Sequence, residues 1–158
     1  MRKKSKYKPK GVRVDNLAWV LQGFKKLPEL EHTNIVVRAK NHGAMKSMVD
    51  GTGTRDDCDI IIGALNMCEA MMSLGFGTDW RDEIHEGHAA LLSMARRGHK
   101  TGRFLFTGPE LTAVNLAMAV HDAQLDEATV IDLEKGLDIV NKIIANRTAT
   151  RIVEEEHA

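Results

Sequence analysis

The stretch "IIIGALNMCEAMM", residues 60–72, decides the fold, because it is apolar nearly all round a helix. A helix of this kind belongs in the middle of a bundle, where neighbours cover every side. We expect this central helix to start after "GTGT", with Thr54 as its N-cap, and to stop at Gly75. A thin polar stripe interrupts its apolar surface at Asp59, Asn66, Glu69 and Ser73.

The composition also favours helices over sheets. Aromatic residues make up 4% of the chain and prolines number 3, whereas 8 residues are methionine. The 158 residues are enough for one domain with a hydrophobic core, and no repeat or low-complexity linker divides them. We therefore predict an all-α fold, an irregular bundle of about five helices. Residues 1–12 are expected to be a flexible basic arm, 13–150 a single helical domain and 151–158 a frayed acidic tail.

Glycines and capping residues divide the domain into its helices. A short docking helix is expected within "DNLAWVLQGF", residues 15–24. Trp80 and Ile84 are expected on the apolar stripe of the third bundle helix, which Gly98 should end. Thr107, with Glu110 three residues on, predicts a capping box for the fourth. Besides the central helix, the predicted bundle helices are 33–51, 78–98, 107–125 and 127–146.

The fifth helix carries a heptad pattern, because its apolar residues recur in steps of three and four. Further isoleucines at 131, 139 and 143 lie off this seam, so the helix is expected to have two neighbours, one of them from another chain. The alternative is a helix that is simply well buried. We predict a homo-oligomer, a homodimer first of all, with the seam at or near its interface: Val130, Leu133, Leu137, Val140 and Ile144.

The cysteines indicate a reducing compartment. Cys58 and Cys68 are ten residues apart on the central helix, which separates them by about 15 Å along its axis. They cannot form a disulfide with each other there, which fits a cytoplasmic protein. No signal peptide is recognisable, and the longest apolar stretch, "IIIGAL", is too short to cross a membrane.

The stretch "DEIHEGH", residues 82–88, comes close to a zinc-protease motif without reproducing it. His85 and His88 are three positions apart, whereas the protease motif needs four. We therefore expect His85 to lean toward solvent and not to be a ligand. No nucleophile motif is present either, so nothing in the sequence argues for an enzyme.

Three other histidines could form a site together. By helical phase His42, His88 and His121 each point inward from a different helix, and Glu69 or Asn66 could face them. Three histidines and a carboxylate can bind zinc or iron. The alternative is that each is a separate core histidine with its own hydrogen-bond partner.

The N-terminal arm is the strongest polar signal. It carries 6 basic residues and no acid, which leaves 16 basic and 22 acidic residues in the rest of the chain. The arm could neutralise phosphates of a nucleic acid, with its tyrosine stacked on a base, or bind an acidic protein surface. It could also be only a solvated tail. The predicted binding residues are Arg2, Lys3, Lys4, Lys6, Tyr7, Lys8 and Lys10.

Two segments resemble small helical accessory proteins encoded by tailed phages and prophages of Gram-negative bacteria. They are "MRKKSKYKPKGV" and "FTGPELTAVNLAMAVHDAQLDEATVIDLEKGLDIV", residues 1–12 and 106–140. The resemblance implies a protein of the bacterial cytoplasm that binds and blocks host machinery, including defence systems. It carries over no catalytic residue and no cofactor.

Three functions follow as hypotheses. The first is a non-enzymatic accessory protein that binds and inhibits or modulates a bacterial protein or nucleoprotein complex. The second is a nucleic-acid-binding accessory protein that uses the basic arm. The third is a histidine-ligated metalloprotein.

Overall fold

The computed structural model describes residues 31–146, and this part of the chain is an all-α bundle with no strand. The prediction of about five helices is confirmed. The basic arm, the short helix within residues 15–24 and the acidic tail lie outside the described residues. The five helices are α1 Glu31–Val49, α2 Arg55–Ser73, α3 Arg81–Thr101, α4 Gly108–Glu127 and α5 Val130–Ala145.

Helix α2 lies at the centre of the bundle, as its apolar surface predicts. Each of the other four helices packs against it. Ile61, Leu65 and Met71 on this helix are fully buried, and so is Cys68. The bundle is therefore organised round one helix and not as a symmetric four-helix arrangement.

Sulfur-containing side chains fill much of the core. Met48, Met71 and Met94 have no exposed surface, and Phe104 is the one buried aromatic residue among residues 34–146. Methionine is unbranched and flexible, so it fills irregular gaps between helices that cross at different angles. Within the described range, no helix combines the length and the apolar character that crossing a membrane requires.

Capping boxes start three of the helices. In each, a threonine side chain accepts from a backbone N–H three residues on, and the acid at that position accepts from the threonine N–H. The predicted cap of α2 and the predicted box of α4 are confirmed. The box of α5 was missed, and it starts that helix at Val130. The three pairs are Thr54–Asp57, Thr107–Glu110 and Thr129–Asp132.

The prediction that Gly98 ends the third helix is wrong. Helix α3 continues to Thr101 and ends at Gly102, whose φ of 73° is in the left-handed region that glycine tolerates. Gly98 lies inside the helix and is buried against Phe104. A Cβ at this position would lie 2.4 Å from a ring carbon of Phe104, so the close contact requires glycine. Trp80 was also misplaced on the apolar stripe, since it lies in a 3₁₀ turn before α3 and is 47% exposed.

Arg97 fixes the start of α4 against the end of α3. Its guanidinium donates to both carboxylate oxygens of Glu110, at 2.9 and 2.6 Å, and to the backbone carbonyl of Leu105 at 2.7 Å. This hydrogen-bonded guanidinium lowers the pKa of Glu110 to about 2. The capping acid of α4 therefore also joins two helices.

Helices α3 and α4 cross closely at a second glycine. A Cβ on Gly87 would lie 2.4 Å from the Cβ of Ala117 and 3.1 Å from the carbonyl oxygen of Ala113. We expect Gly87→Ala to lower the free energy of unfolding by about 1–3 kcal/mol, because the helices must move apart. Chemical denaturation measures this change.

Gly63→Ala is the matched control, since Gly63 is an exposed glycine of α2 and no neighbouring element lies within 4 Å of the position that a Cβ would take. This change should raise stability by about 0.5–1 kcal/mol through helix propensity alone. Equal effects of the two alanines would contradict the close crossing at Gly87.

Candidate functional site

A groove opens on one side of α2, between α3 and α5. Helix α5 runs antiparallel to α2, because Val130 and Leu133 near its start pack with Met71 at the end of α2. Further along α5, a Cβ on Gly136 would lie 2.8 Å from the sulfur of Met67. The last turns of α5 therefore extend beside the middle of α2, where they form one wall of the groove.

The groove encloses about 520 Å³ and is apolar along most of its length. Helix α2 forms its floor, with α3 and α5 on either side. The floor carries Asn66, Glu69 and Ser73, which belong to the polar stripe seen in the sequence. The main apolar lining residues are Ile62, Leu92, Ile139, Val140, Ile143 and Ile144.

One end of the groove is polar, because Glu69 on α2 lies between two histidines of α3. Its Oε1 is 3.3 Å from Nε2 of His85, and its Oε2 is 3.3 Å from Nδ1 of His88. A spacing of three residues places both imidazoles on one face of α3, so one carboxylate can reach both. The predicted exposure of His85 is confirmed at 50% of its side chain, but its pairing with Glu69 was missed.

His88 is the buried member of this cluster. Burial lowers its pKa below the usual 6.5, and the charge of Glu69 opposes that change. Its imidazole is largely enclosed, and a backbone hydrogen bond with Leu65 also opposes the lowering of the pKa. Burial therefore favours the neutral imidazole of His88 over the charged form.

A second polar cluster joins α1 to α4, away from the groove. Arg38 donates to the backbone carbonyl of Asp122 at 2.9 Å and pairs with Asp126. Nε2 of His42 lies 2.7 Å from a carboxylate oxygen of Asp122. Next to these residues His121 is almost fully buried, and burial lowers its pKa.

The three histidines that could have formed one metal site do not lie together, because His88 belongs to the first cluster and His42 and His121 lie at the second. His42 was expected to point inward, which is wrong, because its side chain is 53% exposed and pairs with Asp122 on the surface. His121 does lie in the core, and His88 is mostly buried beside Glu69. Over residues 31–146, no group of three or more histidine, cysteine, aspartate or glutamate side chains could hold a metal ion.

The residues of the predicted heptad seam of α5 lie in two environments, partly against the bundle and partly exposed. Val130 and Leu133 pack inside the bundle, and Val140 lines the groove. Leu137 and Ile144 are 50% and 58% exposed, so they could still contact a second chain. The oligomer interface stays a prediction, and the basic arm lies outside the described residues.

Both cysteines are buried, as expected of core thiols. Burial raises the pKa of Cys58 to about 11 and that of Cys68 to about 12. The thiolate is the reactive form of cysteine, so neither side chain is a nucleophile at neutral pH.

No protein-family model, curated protein or solved structure matches the chain. The resemblance to accessory proteins of tailed phages therefore stays a prediction.

The buried histidines make stability sensitive to mild acid. The pKa values of His88 and His121 are lowered in the folded chain, so the unfolded chain binds more protons once the pH falls toward 6.5. We expect the free energy of unfolding to decrease from about pH 7 to about pH 5, well above the range in which Glu110 is protonated. Urea titrations at several pH values measure this slope.

His121→Leu should flatten the slope, because it removes one of the two imidazoles that must be desolvated in the neutral form. A variant with the same slope as the unmodified chain would contradict this assignment of the acid sensitivity.

Proposed function

We propose that the chain is a non-enzymatic, phage-type accessory protein that binds and inhibits or modulates a bacterial protein or nucleoprotein complex in the cytoplasm. The observation that carries this proposal is the groove between α2, α3 and α5. Its α5 wall leaves large apolar side chains in water, with Ile144 58% and Ile143 43% exposed. Contiguous apolar surface rimmed by polar groups is typical of a protein-binding site.

The groove best fits an amphipathic helix that carries an acidic residue. Its apolar part runs between two helix walls, as in other grooves that accept one face of a helix. Its polar end holds Arg81 beside the paired Glu69 and His85, and Arg81 forms no ion pair within the described part of the chain. A carboxylate on the partner would find a cation there, next to the apolar contacts.

Two features of the described residues favour binding over catalysis. The cysteine thiols are protonated and enclosed in the core. Most of the groove lining is aliphatic, which suits burial of apolar surface more than stabilisation of a developing charge. The nucleic-acid role of the arm and the histidine-ligated metal site gain no support from the groove.

Capture of proteins from bacterial lysate tests the binding role. Ile144→Glu places a charge in the apolar wall and should reduce capture of a specific partner at least tenfold. Leu116→Glu is the matched control, because Leu116 is 43% exposed on α4 and does not line the groove. Equal capture by both variants, or no specific capture by the intact chain, would overturn the proposal.

The homodimer proposal has its own test in light scattering. We expect a dimer at tens of micromolar that Leu137→Glu converts to a monomer, because Leu137 is the exposed residue in the middle of the α5 seam. A monomer for the unmodified chain at that concentration would end the proposal.

A further inference from the structure

We propose that the chain's own C-terminal segment, residues 147–158, folds back into the groove between α2, α3 and α5. If the groove also binds a partner, that partner has to displace this segment. This displacement step rests on the proposed function. The segment would then be an internal competitor and not the frayed tail that the sequence predicts.

The point where the chain leaves α5 favours this occupant. Helix α5 ends at Ala145, and the last large apolar residues before that end, Ile143 and Ile144, already line the groove. Because α5 is antiparallel to α2, this end lies nearest the part of the groove floor that begins at Ile62. The residues that follow therefore start at the edge of the groove, at its apolar end.

The segment is also long enough. Its 12 residues can span up to about 40 Å when extended. The groove floor from Ile62 to Ser73 covers 11 residue-to-residue steps of helix, or about 16 Å. Several residues thus remain for the turn that brings the chain back over α2.

The order of side chains in the segment matches the order of surfaces in the groove. Its sequence "RTATRIVEEEHA" places Ile152 and Val153 first and three glutamates after them. Entering from the α5 end, the apolar pair meets the aliphatic part of the groove, and the glutamates meet the polar end. From Val153 to Glu156 the extended chain covers about 10 Å, which equals the helical rise from Ile62 to Glu69.

Charge at the polar end is mixed, so apolar contact has to supply most of the binding. Arg81 attracts the glutamates, whereas Glu69 repels them from the groove floor. Glu86 adds a further exposed acid on α3. Arg81 forms no ion pair within residues 31–146, and it is the one arginine or lysine among the described residues that line the groove.

Disulfide trapping in the full chain tests the contact. The pair Glu156→Cys and His85→Cys places one thiol in the segment and one on the groove side of α3. Glu156→Cys with Glu86→Cys is the matched control, since Glu86 is the exposed neighbour of His85 and does not line the groove. Cys58 and Cys68 are buried, so they do not compete.

Under mild oxidation at low protein concentration, the His85→Cys pair should form an intrachain disulfide at least tenfold faster than the control pair. A non-reducing gel separates this product from a linked dimer. Adding Ile152→Asp and Val153→Asp should reduce the rate to that of the control. Equal rates in the two pairs, or a predominantly interchain product, would overturn the proposal.

Partner capture then separates this inference from the proposed function. Ile152→Asp with Val153→Asp in the otherwise unmodified chain should increase capture severalfold, because the competitor is weakened. Fast trapping with unchanged capture would overturn the displacement step alone. Absence of any captured partner would overturn the proposed function, while the trapping rates still decide whether the segment occupies the groove.

Discussion

The need to cover the apolar surface of α2 is the constraint on which the rest of the structure depends. Four helices lie round α2, and the side they leave open carries its polar stripe of Asn66, Glu69 and Ser73. Polar groups can face water there at little cost, whereas Leu65 or Met71 could not. The groove therefore forms because the other four helices of the described chain do not cover the whole surface of α2.

Local signals in the sequence were sufficient for most of the fold. The capping threonines Thr54 and Thr107 act on backbone groups within four residues, so their effect does not depend on the rest of the bundle. Gly98 was misjudged because a glycine can end a helix or admit a neighbour, and only the position of Phe104 distinguishes the two. His42 was misjudged because helical phase cannot show which side of α1 faces the bundle.

The groove was harder to predict than the fold. The polar stripe of α2 and the two histidines of "DEIHEGH" were both visible in the sequence, but on separate helices. Linking Glu69 to His85 and His88 requires α3 to fold back against α2 after the short connection between them. No single residue in the sequence indicates that arrangement. The exposed apolar wall depends in the same way on where α5 leaves the bundle.

A core rich in methionine also ties the lifetime of the fold to the redox state of its surroundings. Met48, Met71 and Met94 are sealed from solvent, so a peroxide reaches their sulfur atoms only when the bundle opens. Conversion to the sulfoxide would place a strong dipole in apolar surroundings that offer it no partner. An opening that is harmless in a reducing cell would then leave lasting damage, at a rate set by the fraction of time that the bundle is open and by the rate at which the peroxide reacts.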